Sequence, residues 1–256
     1  KLEKIFGITS SKEIMAVIWT TTPWTLPANE AISVHSELDY GIYETNEKLL
    51  ILSTDLAEER LSKYQFKSVQ LGTCKGSHLE GTIFSHPFLK KSVPIICGDH
   101  VTIEAGTGLV HTAPAHGIDD YIVGDKYNLP VENPVDEEGK FKKNVPFFGG
   151  EFVWKANPLV VEVLAKNRSL LLNEKYQHSY PHCWRHKSPI IFRATHQWFI
   201  GMNHKGKDNK SVRDFAYKAV LGTKFFPDWG KKRLESMIRN RPDWCVSRQR
   251  NWGVPI

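Results

Sequence analysis

The sequence predicts an α+β protein, with a β-barrel-rich front part, peripheral helices and a mixed α/β return segment. Three observations predict it. Short runs rich in Val, Ile and Tyr crowd the first hundred residues, broken by Gly, Pro, Asn or Asp, which is the pattern of many successive strands. Only brief stretches there carry helical spacing. Beyond residue 175 the character changes, because 18 Lys and Arg against 23 Asp and Glu up to that point give way to 16 against 5. A nearly neutral body joined to a basic segment points to a polyanionic partner, although a solvated lysine-rich surface has the same composition.

Taken in order, EIMAVIWT (13–20), DYGIYET (39–45), KLLILST (48–54), KSVQLG (67–72) and SVPIICG (92–98) read as strands. TDLAEERLSKY (54–64) reads as a surface helix capped by Thr54, with Leu56, Leu61 and Tyr64 for burial. LVHT (109–112) is a further strand, and a helix begins near Ile118. VDEEGKF (135–141) is a hairpin turn or exposed loop. NPLVVEVLAKNR (157–168) is a helix with Pro158 in its first turn. Strand material at 189–193 precedes two basic helices at 210–221 and 231–240. Residues 1–175 therefore form the first domain, 176–240 the return strands and connecting helices, and 241–256 the start of a further segment.

The chain has 256 residues, enough for a sizeable core, and 41% are hydrophobic. No apolar run approaches the roughly 20 residues of a membrane span, so no membrane association is expected. KLEKIFGITSSKE carries no apolar core after its basic residues, which argues against a secretory signal. Cys74, Cys97, Cys183 and Cys245 are scattered without a C-x-x-C pair, as suits reduced thiols in a cytosol-like compartment. The expected location is the cytoplasm or an organellar matrix, and nothing demands more than a monomer.

Two stretches carry chemistry. In IWTTTPWTLPAN (18–29), Pro23 cannot donate to a β ladder and pushes Thr22 into extended backbone, so the strand must stop at the threonines. Thr20, Thr21 and Thr22 then offer hydroxyls to a small polar ligand, in a corner stiffened by Pro23 and Pro27. Threonine also simply suits a strand and its turn, and this stretch alone does not decide between the two.

In GTGLVHTAPAHGIDDYIVG (106–124), Gly106 and Gly108 permit a tight approach, and Asp119 and Asp120 fall where a helix begins. Such acids commonly serve as caps and dipole partners. Pro114 separates His111 from His116 and no third ligand has suitable spacing, so no metal site is expected there. His178, His182, Cys183 and His186 superficially resemble a zinc cluster, but no upstream cysteine pair accompanies them. The sequence lacks a G-x-S-x-G elbow and a complete dinucleotide fingerprint.

Together WTTTPWTLPAN (19–29) and GTGLVHTAPAHGIDD (106–120) resemble the paired motifs of the isoleucyl-tRNA synthetase editing domain, the insertion called connective peptide 1. The resemblance continues through HSYPHCWRHKSPIIFRATHQWF (178–199) and RPDWCVSRQRNWGVPI (241–256), where the chain would re-enter the catalytic Rossmann domain. Valyl and leucyl relatives carry a TTRP-type segment instead. The family has glycine where this sequence has Ala115, whose methyl would narrow the loop between His111 and Asp120.

The resemblance implies a fold of the valyl, isoleucyl and leucyl editing-domain type and a proofreading hydrolase acting on valyl-tRNA(Ile) and on valyl-adenylate. By that resemblance Asp120 anchors the α-ammonium, and His111 bars isoleucine. Thr20, Thr21 and Thr22 bind the terminal adenosine and ribose and place the attacking water, Trp19 joins them in binding substrate, and Asn29 supports editing. No cofactor is implied for editing; ATP and Mg²⁺ belong to the full-length synthetase. The implied partners are tRNA(Ile) with its aminoacylated 3′ end and the remainder of the synthetase in cis. No HIGH or KMSKS signature is present, so the chain is not expected to form aminoacyl-adenylate by itself. A catalytically inactive tRNA-binding module is the alternative. Trp229, Trp244 and Trp252 read as packing residues.

Overall fold

The computed structural model describes residues 1–247, in two compact units that meet between Ala194 and Thr195. The first unit begins with helix α1 (Leu2–Phe6), strand β1 (Ile14–Ala16) and a short 3₁₀ helix (Pro23–Ala28). It continues through β2 (Ala31–Val34), β3 (Asp39–Glu44), β4 (Leu49–Ser53), α2 (Thr54–Lys63), β5 (Val69–Lys75) and α3 (Gly76–Leu79). Then follow β6 (Ile83–Ser85), β7 (Ser92–Cys97), β8 (Val110–Thr112), α4 (Ile118–Lys126) and α5 (Val153–Lys166).

These strands form two four-stranded sheets, ordered β1-β4-β3-β5 and β6-β7-β2-β8. The α+β class and its wealth of β-structure hold, and among the described residues neither sheet closes on itself. β1 runs parallel to β4 and β2 parallel to β7, whereas β8 lies antiparallel to β2 with His111 opposite Ile32. Every residue of β4, LLILS, is buried, as expected of a central strand with cover on both faces. Tyr40, Ile42, Ile95 and Leu109 complete that core.

A second core forms where α5 packs on the 3₁₀ helix. Val153, Ala156, Val160 and Leu164, spaced three or four apart, bury one stripe of α5 against Trp24, Leu26, Phe141 and Phe148. Residues 135–141 make the expected hairpin turn, with Val135 bridged to Phe141 and the Asp136 amide donating to Lys140.

Four local expectations need correction. The first strand stops at Ala16, short of the threonines, although the Val17 amide still donates to Ile51. Thr54 does not cap α2; Ser53 is the N-cap, and the Thr54 hydroxyl donates to the Asp39 carbonyl, tying the helix to β3. Helix α5 starts at Val153, ahead of Asn157, because the Phe152 carbonyl accepts the amides of Lys155 and Ala156 and Val153 gains a buried position. Pro158 thus lies beyond the first turn, and the ladder does without one amide there. Residues 189–193 form no strand. Pro189 and Pro181 cannot donate to a ladder, and pairing is limited to one bridge between His182 and Pro189 in a loop closed by Cys183 and Ser188.

The first compact unit extends past residue 175 to Ala194. Its last residues are held by hydrogen bonds from the Ala194 amide to Ala115, from Asn133 to the Ala194 carbonyl and from Arg193 to Val135.

In the second unit, β9 (Phe199–Ile200) pairs antiparallel with β10 (Trp244–Cys245), and α6 (Val212–Gly222) and α7 (Trp229–Arg239) follow the two expected basic helices. Ser211 and Asp214 form a reciprocal capping box on α6. The Arg213 guanidinium reaches the carbonyls of Ile238, Arg239 and Arg241, closing the C-terminal end of α7. Trp229 and Trp244 are 63% and 51% exposed, so the packing role expected of them is not found. Trp252 and the 248–256 part of the re-entry segment lie outside the described residues.

Candidate functional site

The site grows from a failed strand. After Ala16 the chain meets Pro23 and Pro27, and PWTLPA folds as a 3₁₀ helix in which the Thr25 amide donates to Thr22 and the Asn29 amide to Leu26. The Thr20 hydroxyl accepts the Thr22 amide at 3.0 Å, so it organises the turn itself. Thr21 is exposed and Thr22 half-buried beside it.

A cavity of about 320 Å³ opens against this corner. Trp19, Thr20, Thr21, Thr22, His111 and Asp120 all line it. Gly106 and Gly108 also line it, with φ of 81° and 76°, the left-handed region that favours glycine. A Cβ on Gly108 would collide with Ser53, and one on Gly106 would stand 3.2 Å from the Trp19 ring.

His111 sits in β8, 7% exposed, with Nε2 2.9 Å from the Thr25 hydroxyl. That hydroxyl donates its own proton to the Thr22 carbonyl at 2.9 Å, which leaves the imidazole Nε2–H as donor to Thr25. Burial, reinforced by His86 and His116, pushes the His111 pKa down to about 4, so the ring is neutral at pH 7. Its Nδ1 is buried without a partner among the described residues.

Asp120 lies in the first turn of α4 but caps nothing; Gly117 is the N-cap and no side chain bonds there. Its Oδ2 instead accepts the Ala113 amide at 3.0 Å, folding the carboxyl back towards the HTAPAHG loop. Burial raises its pKa, opposed by the Ala113 bond and by His100. Ala115 is buried at ordinary negative φ, and its carbonyl receives the Ala194 amide.

His116 donates Nδ1–H to the Phe192 carbonyl at 2.9 Å and meets the Trp24 ring edge-on at 4.9 Å. Among the described residues, no three of His, Cys, Asp or Glu gather in a way that could hold a metal.

Asn29 is not brought to this cavity. It is 4% exposed, and its amide donates to the Ala31 and Thr112 carbonyls, fastening β2 beside β8. It lines instead a neighbouring cavity of about 530 Å³, which shares Trp19, Thr20, Thr21 and His111 with the first. Sequence reasoning missed Thr25, His100 and Thr102, which also line the smaller cavity. Thr25 was findable, because residues i and i+3 align in a 3₁₀ helix and set it beneath Thr22. His100 and Thr102 belong to no motif and arrive through the fold alone.

The fold is that of an aminoacyl-tRNA synthetase CP1 domain. The crystal structure of GlLeuRS-CP1 superposes on 69% of this chain and 90% of its own with a TM-score of 0.56 at 16% identity. A family model described as tRNA synthetases class I (I, L, M and V) matches residues 11–256. Isoleucine–tRNA ligase from Dechloromonas aromatica (strain RCB) is 57% identical over all of this chain, which covers 28% of that protein. The enzyme of the same name from Nitrosomonas europaea is 55% identical over 97% of this chain and 27% of its own length. The chain belongs to the class I tRNA synthetases, in the isoleucine–tRNA ligase family, and spans about a quarter of the length of these relatives.

Proposed function

We propose that this chain is the proofreading hydrolase region of an isoleucyl-tRNA synthetase, which cleaves valyl-tRNA(Ile), and valyl-adenylate, while sparing isoleucyl-tRNA. The observation that carries the reading is one cavity lined together by Thr20, Thr21, Thr22, His111 and Asp120. Its chemistry fits the problem the synthetase faces. One methylene separates valine from isoleucine, and an apolar pocket draws only about 1–3 kcal/mol from it, this amino-acid pair being the standard instance. A second site that admits valine and excludes isoleucine by size removes the errors.

In this reading the α-ammonium meets Asp120 through the carboxylate oxygen that the Ala113 amide leaves free; such a charge-assisted contact contributes about 1.5–3 kcal/mol. His111, neutral and fixed by Thr25, stands against the side chain as a steric gate. The threonine hydroxyls hold the terminal adenosine and place a water. That water attacks the ester carbonyl carbon, the bond to the ribose oxygen breaks, and valine and a free 3′ end leave. Positioning and oxyanion stabilisation supply the acceleration, since no strong nucleophile lines the cavity. Asn29 acts at one remove, by holding β2 and β8 in register.

Editing needs no cofactor in this reading; ATP and Mg²⁺ serve aminoacylation in the full-length enzyme. The partners are tRNA(Ile) and the rest of the synthetase in cis, in a cytoplasmic monomer. Among the described residues no helix is long and apolar enough to cross a membrane.

Deacylation of valyl- and isoleucyl-tRNA(Ile) by the chain, beside its Asp120→Ala variant, tests the proposal. Selective loss of valine that depends on Asp120 is expected. Binding of tRNA with no cleavage of either ester would leave the inactive module in its place.

A further inference from the structure

Hydrolysis of an ester frees a proton from the attacking water, and a side chain placed to take it speeds the step by about 10²- to 10⁴-fold. Among the described residues, four titratable side chains line the smaller cavity, His100, His111, His116 and Asp120. Asp120 is engaged by the ammonium. His111 commits Nε2–H to Thr25 and sets its ring against the amino-acid side chain. His100 has a buried Nε2 without a partner, but no hydrogen bond among the described residues fixes its ring.

His116 differs from all three. It sits in the HTAPAHG loop, where Ala113 holds it and Asp120 together: the Ala113 carbonyl accepts the His116 amide at 2.8 Å, and the Ala113 amide donates to Asp120 Oδ2 at 3.0 Å. The ring is 8% exposed, and its Nδ1–H donates to the Phe192 carbonyl at 2.9 Å. A carbonyl only accepts, so that bond fixes the tautomer and leaves Nε2 with its lone pair. Nε2 is buried and has no partner among the described residues. Such acceptors are costly to leave unpaired, and native chains keep few of them. Burial lowers the His116 pKa, the Phe192 bond raises it and Arg193 lowers it again, so the ring is neutral at pH 7 while the carbonyl steadies an imidazolium once one forms. One ring nitrogen fixed by an acceptor and the other left free is the arrangement of a histidine that takes a proton.

We propose that His116 is the general base of the cleavage and receives the proton of the attacking water on Nε2. The assignment rests on the reading of the smaller cavity as the place where the aminoacyl ester is hydrolysed. As the water oxygen bonds to the ester carbonyl carbon, its proton passes to Nε2. When the bond from that carbon to the ribose oxygen breaks, Nε2 returns the proton to the ribose oxygen, and the ring ends neutral as it began. The return segment thereby takes part in the chemistry, because its Phe192 carbonyl sets the tautomer.

Steady-state deacylation of valyl-tRNA(Ile) by the full chain, His116→Asn and His116→Phe, with thermal midpoints read alongside, tests this. His116→Asn keeps an N–H for Phe192 and lacks Nε2. His116→Phe keeps a ring against Trp24, which meets His116 edge-on at 4.9 Å, and lacks both nitrogens. Both are expected to lose about 100-fold to 10,000-fold in kcat with KM little changed, and the midpoint of His116→Asn should stay near that of the wild type. Wild-type kcat in His116→Asn overturns the base and leaves His116 as an anchor of the loop, as does a loss of kcat that goes with a lowered midpoint in both variants. A wild-type chain that cleaves no valyl-tRNA removes the hydrolase reading and the base with it, whereas an active wild type with active variants removes the base alone.

Discussion

Thr25 Oγ1 stands between two partners, donating to the Thr22 carbonyl and receiving Nε2–H from His111 at 2.9 Å. One hydroxyl therefore fixes the turn that presents the threonines and the tautomer of the buried imidazole. Both partners come from elements far apart in the chain, the 3₁₀ helix and β8. Replacing the hydroxyl with a methyl, in Thr25→Val, leaves the His111 donor buried and unpaired. A loss of about 1–3 kcal/mol in unfolding free energy is expected, read by urea denaturation. An unchanged midpoint would mean that the imidazole finds another acceptor.

Asp120 offers a cleaner separation of chemistry from folding. Asp120→Asn keeps an oxygen for the Ala113 amide but removes the charge. Deacylation of valyl-tRNA should fall about 10- to 100-fold with the thermal midpoint nearly unchanged, as expected when one charge-assisted hydrogen bond to the substrate is removed. Full activity in this variant would remove the ammonium anchor.

The gate assigned to His111 predicts an altered specificity. His111→Ala opens space at the end of the amino-acid pocket, and the variant should deacylate isoleucyl-tRNA that the wild type spares. Stability should fall with it, since a buried ring is truncated. Continued sparing of isoleucyl-tRNA by a folded variant would end the steric assignment.

Acid should destabilise the fold through its buried histidines. Burial first of all holds both His86 and His111 at about 4, against 6.5 for a free imidazole. The unfolded chain therefore binds protons before the folded one, and stability falls as pH drops from about 6.5 to about 4. Each ring accounts for about 3 kcal/mol across that window, and neither contributes a change between pH 7 and 8. Denaturation of the wild type and of His111→Asn at several pH values checks the sign. The variant should show the shallower decline.

The basic helix α7 predicts a salt-dependent term in tRNA binding. Removing Lys232 and Arg233 together should flatten the plot of log affinity against log salt by about 2, one for each phosphate no longer neutralised. A slope unaffected by the pair would place the phosphate-binding cations elsewhere in the chain.

The sequence by itself determined a good deal of this protein. The Tyr and Ile of DYGIYE and the continuous apolar run LLILS make central strands wherever both faces can be buried, and the observed β3 and β4 follow. The glycines at 106 and 108 and the prolines at 23 and 27 act locally, through φ and missing amides, so their turns were legible too. Local signals misled where tertiary contacts outweighed them. Thr54 had the composition of a cap, yet its hydroxyl found the Asp39 carbonyl, and α5 began early because Val153 had a core to enter.

What only the tertiary structure decided is which side chains share a cavity. Taken alone, the acids at 119 and 120 read as helix caps, and only the fold brings the Ala113 amide to Asp120 and the Ala31 and Thr112 carbonyls to the Asn29 amide. His100, Thr102 and the pairing of Thr25 with His111 have no signature along the chain, because the loops and strands that carry them meet only when the two sheets and their connections are packed. Periodicity and backbone restriction are local and survive in a string of letters. A pocket is a relation between distant segments, fixed by the burial and hydrogen bonding of the whole unit.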